Sequence, residues 1–303
     1  MGLRSAIIII GGGLKVLVIT REQGIIGLAL VQIVISLITG FSYYFIVKKS
    51  VGWFGFGKTN LQKVLSFCRL SGWNMANTAT DTILTGSDKV LLGYAAGPIL
   101  VTSYALSSFL PLAIQGLLFR VVIGAIPGIG KLFGLEQYSR IRKVRDTMTG
   151  LIFLLLTSTG VSIMLFNKSF LRAWVGEGYF AGNSINLLLI IMILQDTLIK
   201  HDGYIINATL DLRKKVYLSL LSSVIFIALG LFLVSRWGIA GLCVSLICGK
   251  FLLFTGQRNF LDRKIGPETN TTFLQRVRPF MVSTIMLAGS LYVSTLFKTV
   301  SLP

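Results

Sequence analysis

Seven polar side chains recur at steps of three or four between Leu70 and Leu92: Ser71, Asn74, Asn77 with Thr78, Asp81, Thr85 and Asp88. That spacing puts them on one face of a helix. Trp73, Ala76, Ala79, Ile83 and Leu84 make the opposite face apolar. The segment has the length of a membrane crossing, and Asp81 falls about 16 Å from either end at ~1.5 Å per residue, near mid-depth. An aspartate there costs about 3 kcal/mol on insertion scales. Facing lipid, such a residue only destabilises the helix. Facing a wet cavity, it binds a proton or cation, while the amides and hydroxyls around it bind a polar solute.

Other ionisable residues inside apolar segments extend this set. Lys15 interrupts the first apolar stretch and must face protein or water, and Lys89 follows Asp88 at the outer end of the polar helix. Asp196, preceded by Gln195, lies one turn before Lys200, which suits either a structural ion pair or a cavity lining. His201 reads as a solvated helix end. The spacings of a P-loop, a dinucleotide-binding turn, a zinc protease or a serine hydrolase are missing, and no loop offers a domain for glycosyl transfer. The expectation is no enzyme, no catalytic residue and no metal site. Cys68, Cys243 and Cys248 are odd in number and lie in or beside apolar helices, as small core residues do.

The elements that must position these residues are membrane helices. The composition is 53% hydrophobic and 13% charged, with mean hydropathy +0.78. Crossings are expected at 5–20, 24–47, 70–92, 99–119, 147–166, 183–203, 216–235, 237–257 and 279–298, nine in all and every one helical, giving an all-α polytopic fold. The net charge of +18 suggests nucleic acid, but most of the 29 Lys and Arg fall in alternate loops. That is the positive-inside pattern, which sets the amino terminus in the cytoplasm and excludes a nucleic-acid partner. Residues 50–69 hold Leu61, Val64, Leu65 and Cys68 at amphipathic spacing, with Lys58, Lys63 and Arg69 around the turn, so an interfacial linker helix is predicted. A basic loop is expected after Pro127 and Gly128. Trp53, Trp174 and Trp237 sit as interfacial anchors.

Four places carry a family resemblance: Asp88–Tyr94 with Val101–Ala105, Gln137–Arg140 with Lys143–Asp146, Asn167–Gly176, and Asn207–Lys215 followed by Trp237–Gly241. Through them the chain resembles polysaccharide-biosynthesis flippases of the multidrug/oligosaccharide/polysaccharide exporter superfamily. The resemblance implies two helical bundles that rock about a central cavity in the cytoplasmic membrane of a prokaryote. The cargo would be a polyprenyl-linked sugar, with a polysaccharide polymerase or glycosyltransferases and membrane lipid as partners. It aligns the third crossing with the start of the second bundle, implying a shortened amino-terminal side. The expected divisions are 1–49 as a remnant of the first bundle, 50–69 as linker, 70–257 as a six-helix second bundle, and 258–303 as a basic loop with an extra helix. On this reading Asn74, Asn77, Asp81, Thr85 and Asp88 line the cavity, and Lys15 or Lys89 would meet a pyrophosphate. Asp81 would hold a coupling proton or Na+, no other cofactor being expected. The rival expectations are a drug/cation antiporter of the same superfamily and a non-transporting membrane subunit of a polysaccharide assembly complex.

Overall fold

A computed structural model describes residues 2–21, 24–52, 55, 60–266 and 273–296. Among them every regular element is an α-helix: α1 (Gly2–Thr20), α2 (Gly24–Ser50), α3 (Leu61–Ala96), α4 (Pro98–Gly134), α5 (Tyr138–Val175), α6 (Asn183–Ala208), α7 (Arg213–Ile265) and α8 (Phe273–Leu296). Five helical segments among the described residues are long and apolar enough to cross a bilayer: Ile26–Ser50, Pro98–Gly134, Tyr138–Val175, Asn183–Ala208 and Arg213–Ile265. The polar helix α3 is not one of them, because the stripe that singles it out also lowers its hydropathy.

The chain divides into two compact units, Met1–Val64 and Leu65–Pro303. In the first, α1 and α2 meet along a narrow seam where Gly11 admits the side chain of Ile35. Ile9, Ile26, Phe41 and Phe45 stay exposed around it. Apolar faces on all sides of a helix pair are stable in lipid and not in water.

The second unit is built on α4, α5, α6 and α7, with α8 packed along α5. Helix α7 carries 53 residues, roughly 80 Å if straight at ~1.5 Å per residue, far more than the ~30 Å of a hydrocarbon core. It turns back at Gly238, whose φ of +54° and ψ of −128° are conformations that glycine alone adopts readily. The pairs that meet straddle that residue. A Cβ on Gly249 would lie 2.8 Å from Cβ and 3.0 Å from Cα of Phe226, and one on Gly256 would lie 2.7 Å from Leu218. Gly241 lies against the Leu233 carbonyl. Arms 213–237 and 239–265 therefore run antiparallel, side by side, with glycines letting the backbones approach.

Three expectations are corrected. The basic stretch after Pro127 is not a loop: α4 continues through Pro111 and Pro127 to Gly134, and α5 starts at Tyr138 after a tight turn. A buried cluster of Ile129, Ile141, Ile205, Ile206, Leu261 and Ile265 holds these helix ends, so packing overrides the local proline–glycine signal. The second arm of α7 likewise runs to Ile265 rather than stopping near 257. Residues 61–69 form the first turns of α3 instead of a separate linker helix. Trp174 and Trp237 are exposed at helix ends, whereas Trp53 and Lys58 lie outside the described residues.

The arm contact yields a paired test. Gly249→Ala places a methyl group against the Phe226 backbone and should cost about 1–3 kcal/mol as overpacking. Gly150→Ala, in open space on α5, should be neutral or stabilising by about 0.5–1 kcal/mol. Thermal unfolding in detergent separates the two, and equal midpoints would refute the close approach.

Candidate functional site

The polar face of α3 closes one side of a cavity of about 490 Å3 in the second unit, a size suited to a small ligand or headgroup. Asn74, Asn77, Thr78, Asp81 and Thr85 line it from α3, and Asp196, Lys200 and Asn207 from α6. Phe119 and Ile123 come from α4, Lys215 from the first arm of α7, and Lys250 and Gln257 from the second. Helix α3 is fixed beside this space by its apolar residues: Leu84, Leu91 and Leu92 are buried with Phe226, Val234 and Leu242 of α7. Leu84, expected on the face opposite the stripe, is buried in this cluster and also borders the cavity.

The polar groups of α3 are not equivalent. The hydroxyls of Thr78, Thr80, Thr82 and Thr85 each donate to the carbonyl four residues back, at 2.7–3.0 Å. Such hydroxyls need no further partner. Asn77 donates from Nδ2 to Asp81 Oδ2 at 3.3 Å, while its own buried Oδ1 has no partner. The capacity of this helix to bind something therefore rests on Asn74, Asn77 and Asp81.

Opposite them, Asp196 is the most heavily bonded carboxylate of the cavity. Lys250 Nζ donates to its Oδ1 at 2.7 Å, and Lys200 Nζ to its Oδ2 at 2.7 Å. Gln115 Nε2 of α4 adds a hydrogen bond to Oδ2 at 3.0 Å and one to Thr197 Oγ1 at 3.1 Å. Three helices are joined at one point, and Lys250 is only 6% exposed. The i, i+4 pair with Lys200 is present, and it is half of a triad.

Three predicted residues lie elsewhere. Asp88 accepts from Tyr104 Oη at 2.8 Å and from its neighbour's backbone N–H, an attachment between α3 and α4 away from the cavity lining. Lys89 is exposed and also absent from that lining. At ~100° per residue Asp88 stays within about 20° of Asp81 around the helix, but it lies about 10 Å further along α3, past the last cavity-lining residue of that helix, Thr85. Lys15 belongs to the unit Met1–Val64 and is not part of the lining.

Two further polar clusters bracket the bundle. Arg145, fully buried, forms a bidentate pair with Asp202 at 3.1 Å and reaches Asp262 at 2.7 Å, joining α5, α6 and the second arm of α7. His201 lies buried beside this pair with its Nδ1 3.4 Å from Asp202, which corrects the expected solvated position. Toward the other end of α5, Asn167 donates from Nδ2 to the Ser107 carbonyl and to Asn186 Oδ1, while Ser107 Oγ accepts from the Ala181 N–H.

No family model, curated protein or solved structure matches this chain. The site is therefore read from its own chemistry. Lys215, Lys250, Gln257, Asn207 and Gln115 were missed in the sequence because Lys215 and Lys250 count equally well as loop charges. The available signal was Lys250 itself, flanked by Gly249 and Phe251 in a long apolar run.

Breaking the triad tests its weight. Asp196→Leu leaves Lys250 buried without its carboxylate and should cost about 3–5 kcal/mol. Adding Lys250→Leu should recover most of that loss. Unfolding midpoints of the two single variants and the double variant measure the coupling. Additive losses would mean the pair is not coupled.

Proposed function

We propose that the chain is a membrane translocase that carries a hydroxyl-rich, anionic headgroup through a polar cavity, most specifically a polyprenyl-linked oligosaccharide during surface-polysaccharide assembly. The observation that supports this best is a 490 Å3 cavity with amide and charged walls, set among helices apolar enough to cross a bilayer. Moving such a headgroup through hydrocarbon without a polar route is prohibitive. Asn74, Asn77 and Gln257 offer hydrogen bonds to sugar hydroxyls, and the lipid tail would stay in the bilayer. Asp81 is the proposed site of a coupling proton or Na+ during alternating access.

The full proposal is a multi-pass chain of nine crossings in the cytoplasmic membrane of a prokaryote, with its amino terminus inside. The break in α7 at Gly238 supports the count by making two arms of one long helix. Three lysines against two aspartates on the cavity wall favour an anionic cargo over the cationic one of a drug antiporter.

Accessibility decides between a transporter and a passive membrane subunit. In a variant with Cys68, Cys243 and Cys248 replaced, Asn77→Cys and Asp81→Cys should each react with a membrane-impermeant maleimide from at least one side. Complete shielding of both would end the transport reading. In cells whose polymer export depends on this chain, Asp81→Ala should abolish export at unchanged membrane abundance. Wild-type export would remove Asp81 from the mechanism.

A further inference from the structure

The three cavity lysines are not in the same electrostatic state. Lys200 and Lys250 are both committed to Asp196 at 2.7 Å. Lys215 is 6% exposed, and among the described residues no carboxylate lies within 4.0 Å of its Nζ. Its partner is neutral: Nζ donates to Asn207 Oδ1 at 3.1 Å. A buried ammonium that feels a carboxylate, Asp81, only from beyond salt-bridge distance on the same cavity wall is incompletely compensated, and an incoming anion relieves it.

A second donor is present beside it. Gln257 is 1% exposed, and both its Nε2 and Oε1 lack a hydrogen-bond partner. Buried amides are nearly always satisfied, so one left open on both atoms at a cavity wall marks a place where a ligand bonds. Gly203 brings the two together. A Cβ there would lie 3.2 Å from Lys215 Nζ and 3.7 Å from Gln257 Nε2. The lysine tip and the amide thus converge over a bare stretch of α6 backbone that only glycine leaves open.

We propose that Lys215 and Gln257, converging over Gly203, form an oxyanion subsite for a phosphate or carboxylate of the cargo headgroup. The subsite rests on the transport reading and makes it specific: the ammonium neutralises the anion, the Gln257 amide donates a second hydrogen bond, and Asn207 releases or shares the lysine. It also moves the cation from Lys15 and Lys89 to a residue on the cavity wall.

The test uses the full chain in detergent with three radiolabelled probes: inorganic phosphate, glucuronate and a short polyprenyl phosphate. Preference for glucuronate assigns the subsite to an acidic sugar, and preference for polyprenyl phosphate over free phosphate assigns it to the lipid-linked group. Lys215→Met should weaken the preferred probe about tenfold or more, Gly203→Val should weaken it as much, and Lys215→Arg and Lys89→Gln should keep it. The unfolding midpoint of Lys215→Met should stay close to that of the wild type, since the cost of a buried ammonium and its longer-range attraction to Asp81 are lost together. Wild-type affinity in Lys215→Met overturns the subsite. So does wild-type binding of none of the probes: with Asn77→Cys still labelled from water the transport reading survives alone, and with both negative the two fall together.

Discussion

A charge taken out of water costs several kcal/mol unless a partner meets it, and the interior of this bundle is arranged around that cost. Asp196 is met by two lysines and an amide, and Asp202 by a buried arginine that also reaches Asp262. Each meeting point joins helices that are far apart in sequence: α4, α6 and α7 at Asp196, and α5, α6 and α7 at Arg145. Apolar packing alone would let such helices slide, because lipid tails are as apolar as leucine. Charge pairs with one good geometry set the register. Lys215 is met less tightly: Asn207 takes its hydrogen bond, and Asp81 acts on it only from beyond salt-bridge distance.

Close backbone approach does the complementary work. Glycines at 241, 249 and 256 line the inner seam of the α7 hairpin, where backbone or side-chain atoms of the opposite arm occupy the space a Cβ would take, and Gly230 leaves its space to Leu91 of α3. Packing of this density positions Lys215 on one arm and Lys250 and Gln257 on the other with little slack. The same device recurs at Gly160, against Ile190 and Leu287, and at Gly203 beneath Lys215. Cavity and hairpin are one construction: the arms must lie this close for lysines from both to reach α6.

The helical class and the position of the polar helix were legible in the sequence because hydropathy and 3.6-residue periodicity are local properties. Asn74, Asn77, Asp81 and Thr85 could be placed on one face for that reason. The Asp196–Lys200 pair was legible as an i, i+4 spacing. Lys250, Lys215 and Gln257 were not, since each acquires its meaning from a helix elsewhere in the chain. A lysine near a helix end reads as a topology charge until the fold shows it buried. Asp88 failed in the opposite way: it continues the stripe by spacing, but Tyr104, sixteen residues on, claims it.

Several residues of the four sequence motifs have duties inside this fold. Asp88 bonds Tyr104, Arg145 clamps Asp202, Asn167 ties α5 to α4 and α6, and Gly238 and Gly241 make the hairpin turn. Positions of this kind hold a helical framework together, and a framework does not by itself fix a function. Specificity must lie where the framework leaves polar groups unspent. Among the described cavity residues those are Asn77 Oδ1, both ends of the Gln257 amide and the Lys215 ammonium. They offer two acceptors and two kinds of donor, an inventory that matches the hydroxylated anion proposed above better than a hydrophobic cation.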